Sequence, residues 1–128
     1  MRKGLLFGIA ALGLSMAVGV ARGDEKKITG VLIDQACGNK QMAKADPAKA
    51  AEGHTKACCL KCADSGYAVI SGKKMYKIDS ADASKAKDFL GKDDTASKNI
   101  QVTVEGDVDD SAGEIKNVKS IEKAAAKG

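Results

Sequence analysis

The chain has few aromatic residues. Its 128 residues include no tryptophan, two tyrosines and two phenylalanines. Only Tyr67, Tyr76 and Phe89 lie beyond the N-terminal apolar run. Proteins that bind single-stranded nucleic acid without sequence preference stack several rings along a basic groove. The composition therefore predicts no nucleic-acid partner, and a small core built from Val, Ile, Leu and Ala.

Residues 1–23 have the pattern of a signal peptide. Arg2 and Lys3 precede an uncharged apolar run over 5–20, and Ala21-Arg22-Gly23 places small residues at the two positions that an export peptidase reads. The run is short and rich in glycine for a span that needs about 20 apolar residues. We therefore expect cleavage before Asp24, no stable membrane anchor afterwards, and a periplasmic or secreted protein.

Removal of this segment almost abolishes the net charge. The 21 basic residues lose Arg2, Lys3 and Arg22, which leaves 18 against 17 acidic residues, a net charge of +1. A near-neutral domain has no electrostatic footprint for nucleic acid.

Five segments have strand character. They span 26–34, 67–70, 75–78, 99–108 and 114–122. Ile100, Val102 and Val104 alternate with polar residues, which is typical of a half-buried strand. Ile115, Val118 and Ile121 are three apart, so the last strand is predicted to contain a bulge.

Two helices are predicted between these strands. Asp46-Pro47 is a helix start followed by an alanine-rich run to about residue 63, interrupted by Gly53, and Ser80 can cap a helix over 81–90. This order predicts a mainly β protein. Its architecture would be a small five-stranded OB-fold-like barrel, with a helical Cys-rich insert between strands 1 and 2 and a helix between strands 3 and 4. We expect one domain over 24–122 and a frayed tail over 123–128.

The chain also resembles a group of small exported bacterial proteins of uncharacterised function. The resemblance rests on the segment 30–38 (GVLIDQACG), on His54, Cys58 and Cys62, and on the strand segments 66–70, 75–78 and 102–108. Those proteins share the pattern Gly-x-x-x-Asp-x-x-Cys-Gly, His, Cys, Cys, to which Cys59 is an addition. The resemblance implies an OB-fold-like domain and export, and it implies no activity.

All four cysteines, the only histidine and the only proline lie within residues 34–62. Disulfides persist in exported proteins, so Cys37, Cys58, Cys59 and Cys62 are first interpreted as two bridges. Cys37–Cys58 with Cys59–Cys62 is the least strained of the three pairings. The first bridge would close a loop of about 20 residues, worth roughly 3 kcal/mol.

Metal binding is the alternative interpretation of the same stretch. Cys37, His54, Cys58 and Cys62 offer three sulfurs and one nitrogen, a donor set that suits zinc or copper. On one continuous helix, His54 and Cys62 would be separated by about 12 Å of rise. A shared site therefore requires a break in the helix.

Three functions stay open on the sequence alone. The first is an exported, non-enzymatic OB-fold-like binding or structural module with a disulfide-fixed loop, whose partner is an unknown small ligand, metal or protein and which needs no cofactor. The second is a periplasmic zinc- or copper-binding protein. The third is a thiol oxidoreductase using the Cys59-x-x-Cys62 motif. We assign no catalytic residue, and we expect Asp34 to order the loop around Cys37 by accepting backbone hydrogen bonds.

Overall fold

A computed structural model of the chain describes residues 24–124. The predicted signal peptide and residues 125–128 of the predicted tail lie outside the described residues. Lys123, where that tail was predicted to begin, belongs to the last strand and pairs with Val102. Within residues 24–124 every helix is too short or too polar to cross a membrane.

Five strands form one sheet that closes into a ring. They are β1 (Asp24–Asp34), β2 (Tyr67–Ser71), β3 (Lys74–Ile78), β4 (Gln101–Asp109) and β5 (Glu114–Lys123). The order around the ring is β1-β2-β3-β5-β4, and β4 pairs again with β1. The pairing of β3 with β5 is short and parallel, whereas the other four pairings are antiparallel. The prediction of a mainly β protein with five strands is confirmed.

The spacing of apolar residues in the last two strands accounts for the alternating burial of β4 and for the bulge between β4 and β5. Val102, Val104 and Val108 are buried at alternate positions of β4. The pairing register of β4 with β5 shifts between Glu105 and Asp107. At this shift β5 has more residues than β4, and one of them is Asn117 at φ 49°. This irregularity is the bulge predicted from the three-residue spacing in the last strand.

Three helices lie between β1 and β2, and a fourth lies between β3 and β4. They are α1 (Gln35–Met42), α2 (Pro47–Ala51), α3 (Lys56–Lys61) and α4 (Ala83–Leu90). Single 3-10 turns, Ala63–Ser65 and Ser80–Asp82, follow α3 and precede α4. The one long helix predicted over 47–63 is wrong, because α2 ends at Ala51 and Thr55 caps a separate helix. The sequence analysis did not predict α1.

The core has two layers because β1 is buried on both faces. Leu32 packs inside the ring, while Val31 and Ile33 pack on the outer face beneath α1 and α2. Successive side chains of a strand point to opposite faces, so Asp34 faces inward like Leu32. The strand thus ends with a carboxylate at the mouth of the ring.

Gly30 allows the backbones of β1 and β2 to approach each other closely. A Cβ atom at this position would lie 2.2 Å from the backbone oxygen of Ile70 in β2. Only glycine leaves room for that approach.

Candidate metal site

Asp34 is the centre of the site. It is the last residue of β1 and the N-cap of α1, and its side chain is fully buried. Its Oδ2 accepts a hydrogen bond of 2.9 Å from the backbone N–H of Cys37. This is the loop-ordering contact expected for Asp34, and it satisfies one of the free N–H groups at the start of a helix.

His54 approaches the other oxygen of the same carboxylate. It lies in the short connection between α2 and α3, where its backbone N–H donates to the carbonyl oxygen of Ala51. The Nε2 atom lies 2.7 Å from Oδ1 of Asp34, and the histidine side chain is only 9% exposed. An ionised carboxylate can only accept, so Nε2 donates in this contact, and in a neutral ring Nδ1 keeps the lone pair that accepts a hydrogen bond or binds a metal.

Cys37 completes a group of three. One ligand atom each from Asp34, Cys37 and His54 lies within 4.8 Å of the others, and this is the one such group found among residues 24–124. Burial raises the pKa of the Cys37 thiol, and the charge of Asp34 and a hydrogen bond to it raise that pKa further. The Cys62 thiol acts in the same direction, and Lys40 opposes it. A carboxylate oxygen, a thiol sulfur and an imidazole nitrogen thus converge at the mouth of the ring, and they form a possible metal-binding group.

The other cysteines lie outside this group. Cys58 is exposed, Cys62 is partly buried, and Cys59 is fully buried with its Sγ 3.9 Å from the carbonyl oxygen of Leu32. Of the predicted ligand set, the structure therefore brings together Cys37 and His54, and it adds Asp34. All four thiols are free within the described part of the chain. The predicted disulfide pairings stay predictions.

The Cys59-x-x-Cys62 motif lacks the environment of a redox pair. Burial raises the pKa of Cys59 to about 12. Reactive cysteines of such motifs have a lowered pKa and partial exposure. Cys59 has the opposite properties, which weighs against a thiol oxidoreductase that uses this motif.

The order of contacts also differs from that of a nucleophilic cysteine site. In such sites the histidine lies between the thiol and the carboxylate and removes the proton of the thiol. Here Asp34 lies between, since it contacts both the Cys37 backbone and the His54 ring. Asp34 holds the other two residues in place and raises the pKa of Cys37, which disfavours a thiolate in the metal-free protein.

Tyr67 contributes a polar atom beside this group. It pairs with Asp34 across β1 and β2, and it is 1% exposed. Its hydroxyl is buried and has no hydrogen-bond partner within residues 24–124. Burial raises the pKa of this hydroxyl, and the nearby Cys59 and Asp34 raise it further. A buried hydroxyl without a partner is uncommon, so Tyr67 has an unused hydrogen-bonding group.

The sequence held one signal for the missing ligand. Asp34 and Cys37 have the spacing of a helix N-cap and the residue whose N–H it accepts. That spacing predicts that the two residues lie together at a helix start.

Comparison of the chain with protein families, with curated proteins and with solved structures found no match.

Proposed function

We propose that this protein is an exported, non-enzymatic module that binds one transition-metal ion, zinc or copper, through Asp34, Cys37 and His54. The observation that carries the proposal is the convergence of these three donor atoms within 4.8 Å. They come from the end of β1, the first turn of α1 and the connection before α3. Asp34 and Cys37 meet at a helix start, whereas His54, 20 residues beyond Asp34, joins them only because the fold places it there.

The burial of Asp34 supports a role beyond helix capping. Asp46 performs the same capping task at α2, where Oδ1 accepts from the N–H of Lys49, and it does so while exposed. Burying a carboxylate is costly unless charge and hydrogen-bond partners compensate for it. A metal ion bound to Asp34 would supply that compensation.

The donor set favours zinc over copper. Zinc is bound in proteins by cysteine sulfur, histidine nitrogen and aspartate oxygen, and all three are present. Cu(I) prefers thiolates and thioethers to carboxylates. Three protein ligands leave one of the four tetrahedral positions for a water molecule or another donor.

The group needs a small adjustment to accept the ion. Ligand bonds of about 2.0–2.1 Å at tetrahedral angles place neighbouring oxygen and nitrogen atoms about 3.3 Å apart. The present 2.7 Å between Nε2 and Oδ1 is a hydrogen-bond distance. Loss of the shared proton and a small rotation of the His54 ring would open this distance, so that Nε2 and Oδ1 could both bind the ion.

The strand order supports an OB-fold-like barrel as the framework. The ring order β1-β2-β3-β5-β4, the parallel contact of β3 with β5 and the helix between β3 and β4 are those expected of this five-stranded Greek-key fold. The metal site would lie in the connection between the first two strands, which is often at the binding face of such barrels. The pattern of residues 1–23 supports a location outside the cytoplasm.

Zinc titration of four proteins tests the proposal. Competition with a chromophoric chelator would be measured under reducing conditions for the unaltered chain and for the Cys37→Ser, His54→Ala and Cys58→Ser variants. Cys58 is the matched control, because it is an exposed cysteine outside the group. We expect one zinc per chain, a loss of affinity greater than the roughly tenfold to hundredfold of an outer-shell change for the first two variants, and no change for Cys58→Ser. Equal losses in all three variants, or no binding by the unaltered chain, would contradict the proposal.

A further inference from the structure

The first turn of α1 is joined to the turn that follows α3. The backbone N–H of Gln35 donates to the carbonyl oxygen of Gly66 at 2.9 Å. The N–H of Ala36 donates to the Ser65 hydroxyl at 3.2 Å, and this hydroxyl donates to the carbonyl oxygen of Cys62 at 2.8 Å. One hydroxyl therefore links the backbone next to Cys37 to that of Cys62.

These contacts make Cys62 the cysteine whose backbone is linked to the first turn of α1. The Cys37 and Cys62 side chains are both partly buried, and the charge of Cys62 contributes to the raised pKa of Cys37, as the charge of Cys37 does to that of Cys59. Cys59 is enclosed in the core against Leu32. Cys58 is exposed on α3, and its N–H is held by the Thr55 hydroxyl at the start of that helix. No other thiol is held to the first turn of α1 by such a link in the described residues.

We propose that Cys37 and Cys62 form a reversible disulfide, and that this disulfide and the metal ion exclude each other. The inference rests on the proposed metal site, because Cys37 is the residue that both states use. The proposal combines the disulfide interpretation and the metal interpretation of the cysteine stretch. The reduced protein binds metal through Cys37, whereas the oxidised protein holds Cys37 in a bridge that ties α1 to the end of α3.

The oxidation requires a disulfide as the co-reactant, such as a low-molecular-weight disulfide of the glutathione type. The Cys62 thiolate attacks one sulfur of that disulfide, forms a mixed disulfide and releases one thiol. Cys37 then loses its proton and attacks the Cys62 sulfur, which releases the second thiol. Two protein thiols are oxidised to one bridge, one external disulfide is reduced to two thiols, and the two protons pass to the thiols released.

Oxidation removes the strongest ligand of the site. A disulfide sulfur carries no thiolate charge to bind a metal ion, since only the thiolate is a ligand. Asp34 and His54 would remain as two protein ligands, too few for a stable zinc site.

Peptide mapping identifies the bridge. Trypsin cleavage after lysine separates Cys37 (residues 28–40) from the Cys58-Cys59 pair (57–61) and from Cys62 (62–73). The protein would be treated with oxidised glutathione, alkylated, digested without reductant and analysed by mass spectrometry. We expect residues 28–40 linked to 62–73 and a loss of about 2 Da from the intact chain. A link from 28–40 to 57–61, or no link to 28–40 at all, would overturn the proposal.

Zinc affinity of the same samples tests the exclusion. We expect oxidation to lower the affinity of the unaltered chain at least tenfold, and a thiol reductant to restore it. Cys62→Ser should bind zinc as the reduced unaltered chain does, before and after oxidation, once chains carrying a glutathione adduct are removed from the comparison by their intact mass. Cys58→Ser is the matched control on the same helix and should behave like the unaltered chain. Full zinc affinity in a chain shown to carry the Cys37–Cys62 bridge would overturn the exclusion.

The mapping also separates this inference from the proposed function. If the reduced unaltered chain fails to bind zinc, the proposed function fails, whereas the peptide map still shows whether Cys37 pairs with Cys62. If the reduced chain binds zinc and the map shows no Cys37–Cys62 peptide, the metal site stands and the redox inference fails.

Discussion

The ring nitrogen Nε2 of His54 lies 2.7 Å from Oδ1 of Asp34, and both side chains are almost completely removed from solvent. The carboxylate reaches His54 with one oxygen and the backbone of Cys37 with the other. A single buried side chain therefore fixes both other members of the candidate metal site.

Replacement of Asp34 by alanine should destabilise the protein far more than the same change at another helix cap. Asp34→Ala leaves buried donors of Cys37 and His54 without a partner, and we expect a loss of about 2–4 kcal/mol. Asp46→Ala removes an exposed cap and should cost about 1 kcal/mol or less. Urea unfolding of both variants measures the difference, and equal losses would show that the contact with His54 contributes nothing to stability.

Removal of the Tyr67 hydroxyl should not destabilise the metal-free protein. This hydroxyl is buried without a partner, so Tyr67→Phe should leave the free energy of unfolding unchanged or raise it by up to about 1 kcal/mol. Tyr76 is the matched control, because its hydroxyl donates to Oδ1 of Asp110 at 2.8 Å. Tyr76→Phe should lose about 1 kcal/mol. A larger loss for Tyr67→Phe than for Tyr76→Phe in thermal or urea unfolding would contradict this expectation.

The close approach at Gly30 predicts a strong effect of one methyl group. Gly30→Ala places a Cβ atom 2.2 Å from a backbone oxygen that cannot move without disturbing the β1–β2 pairing, so we expect a loss of about 3 kcal/mol or more. At Gly53 the nearest atom to an added Cβ is 3.8 Å away. Gly53→Ala should change stability by no more than about 1 kcal/mol. Similar unfolding midpoints for the two variants would show that the sheet can yield at Gly30.

Zinc affinity should rise with pH. The pKa of Cys37 is raised above its ordinary value of 9.0, so the thiol is protonated at neutral pH and zinc must displace that proton. Below this pKa, each unit by which the pH rises should therefore strengthen the apparent affinity by up to about tenfold for one displaced proton. Chelator competition between about pH 6 and about pH 8 measures the slope of zinc affinity against pH. The Cys37→Ser variant should show a shallower slope, and the same slope in both proteins would exclude Cys37 as a ligand.

The sheet could be predicted from the sequence because its signals are local. Alternating valines mark β4, and the Ser71–Lys74 segment marks the turn between β2 and β3. The break between α2 and α3 was harder to place, since alanine-rich residues on both sides of Gly53 favour helix. α1 was missed because Gly38 and Asn39 have low helix propensity, and the helix depends on its Asp34 cap and on packing of Gly38 against Met75 and Ile33.

The candidate site could be predicted only in part, because its geometry depends on contacts between distant parts of the chain. Cys37 and His54 were identified by residue type, whereas the role of Asp34 depends on where β1 ends and on the path of the chain to His54. Cys58 and Cys62 were included in the predicted ligand set for their sulfur atoms. A new helix begins after Thr55 and leaves Cys58 exposed, and neither cysteine joins the group of three.

Zinc X-ray absorption of the reduced, zinc-loaded protein tests the metal site most directly, because it counts the sulfur ligands. Binding through Asp34, Cys37 and His54 predicts one sulfur at about 2.3 Å, with the remaining ligands nitrogen or oxygen at about 2.0–2.2 Å. A first shell of three sulfurs and one nitrogen would show that two further cysteines are ligands and that the chain rearranges around the ion. A shell without sulfur would contradict the site altogether.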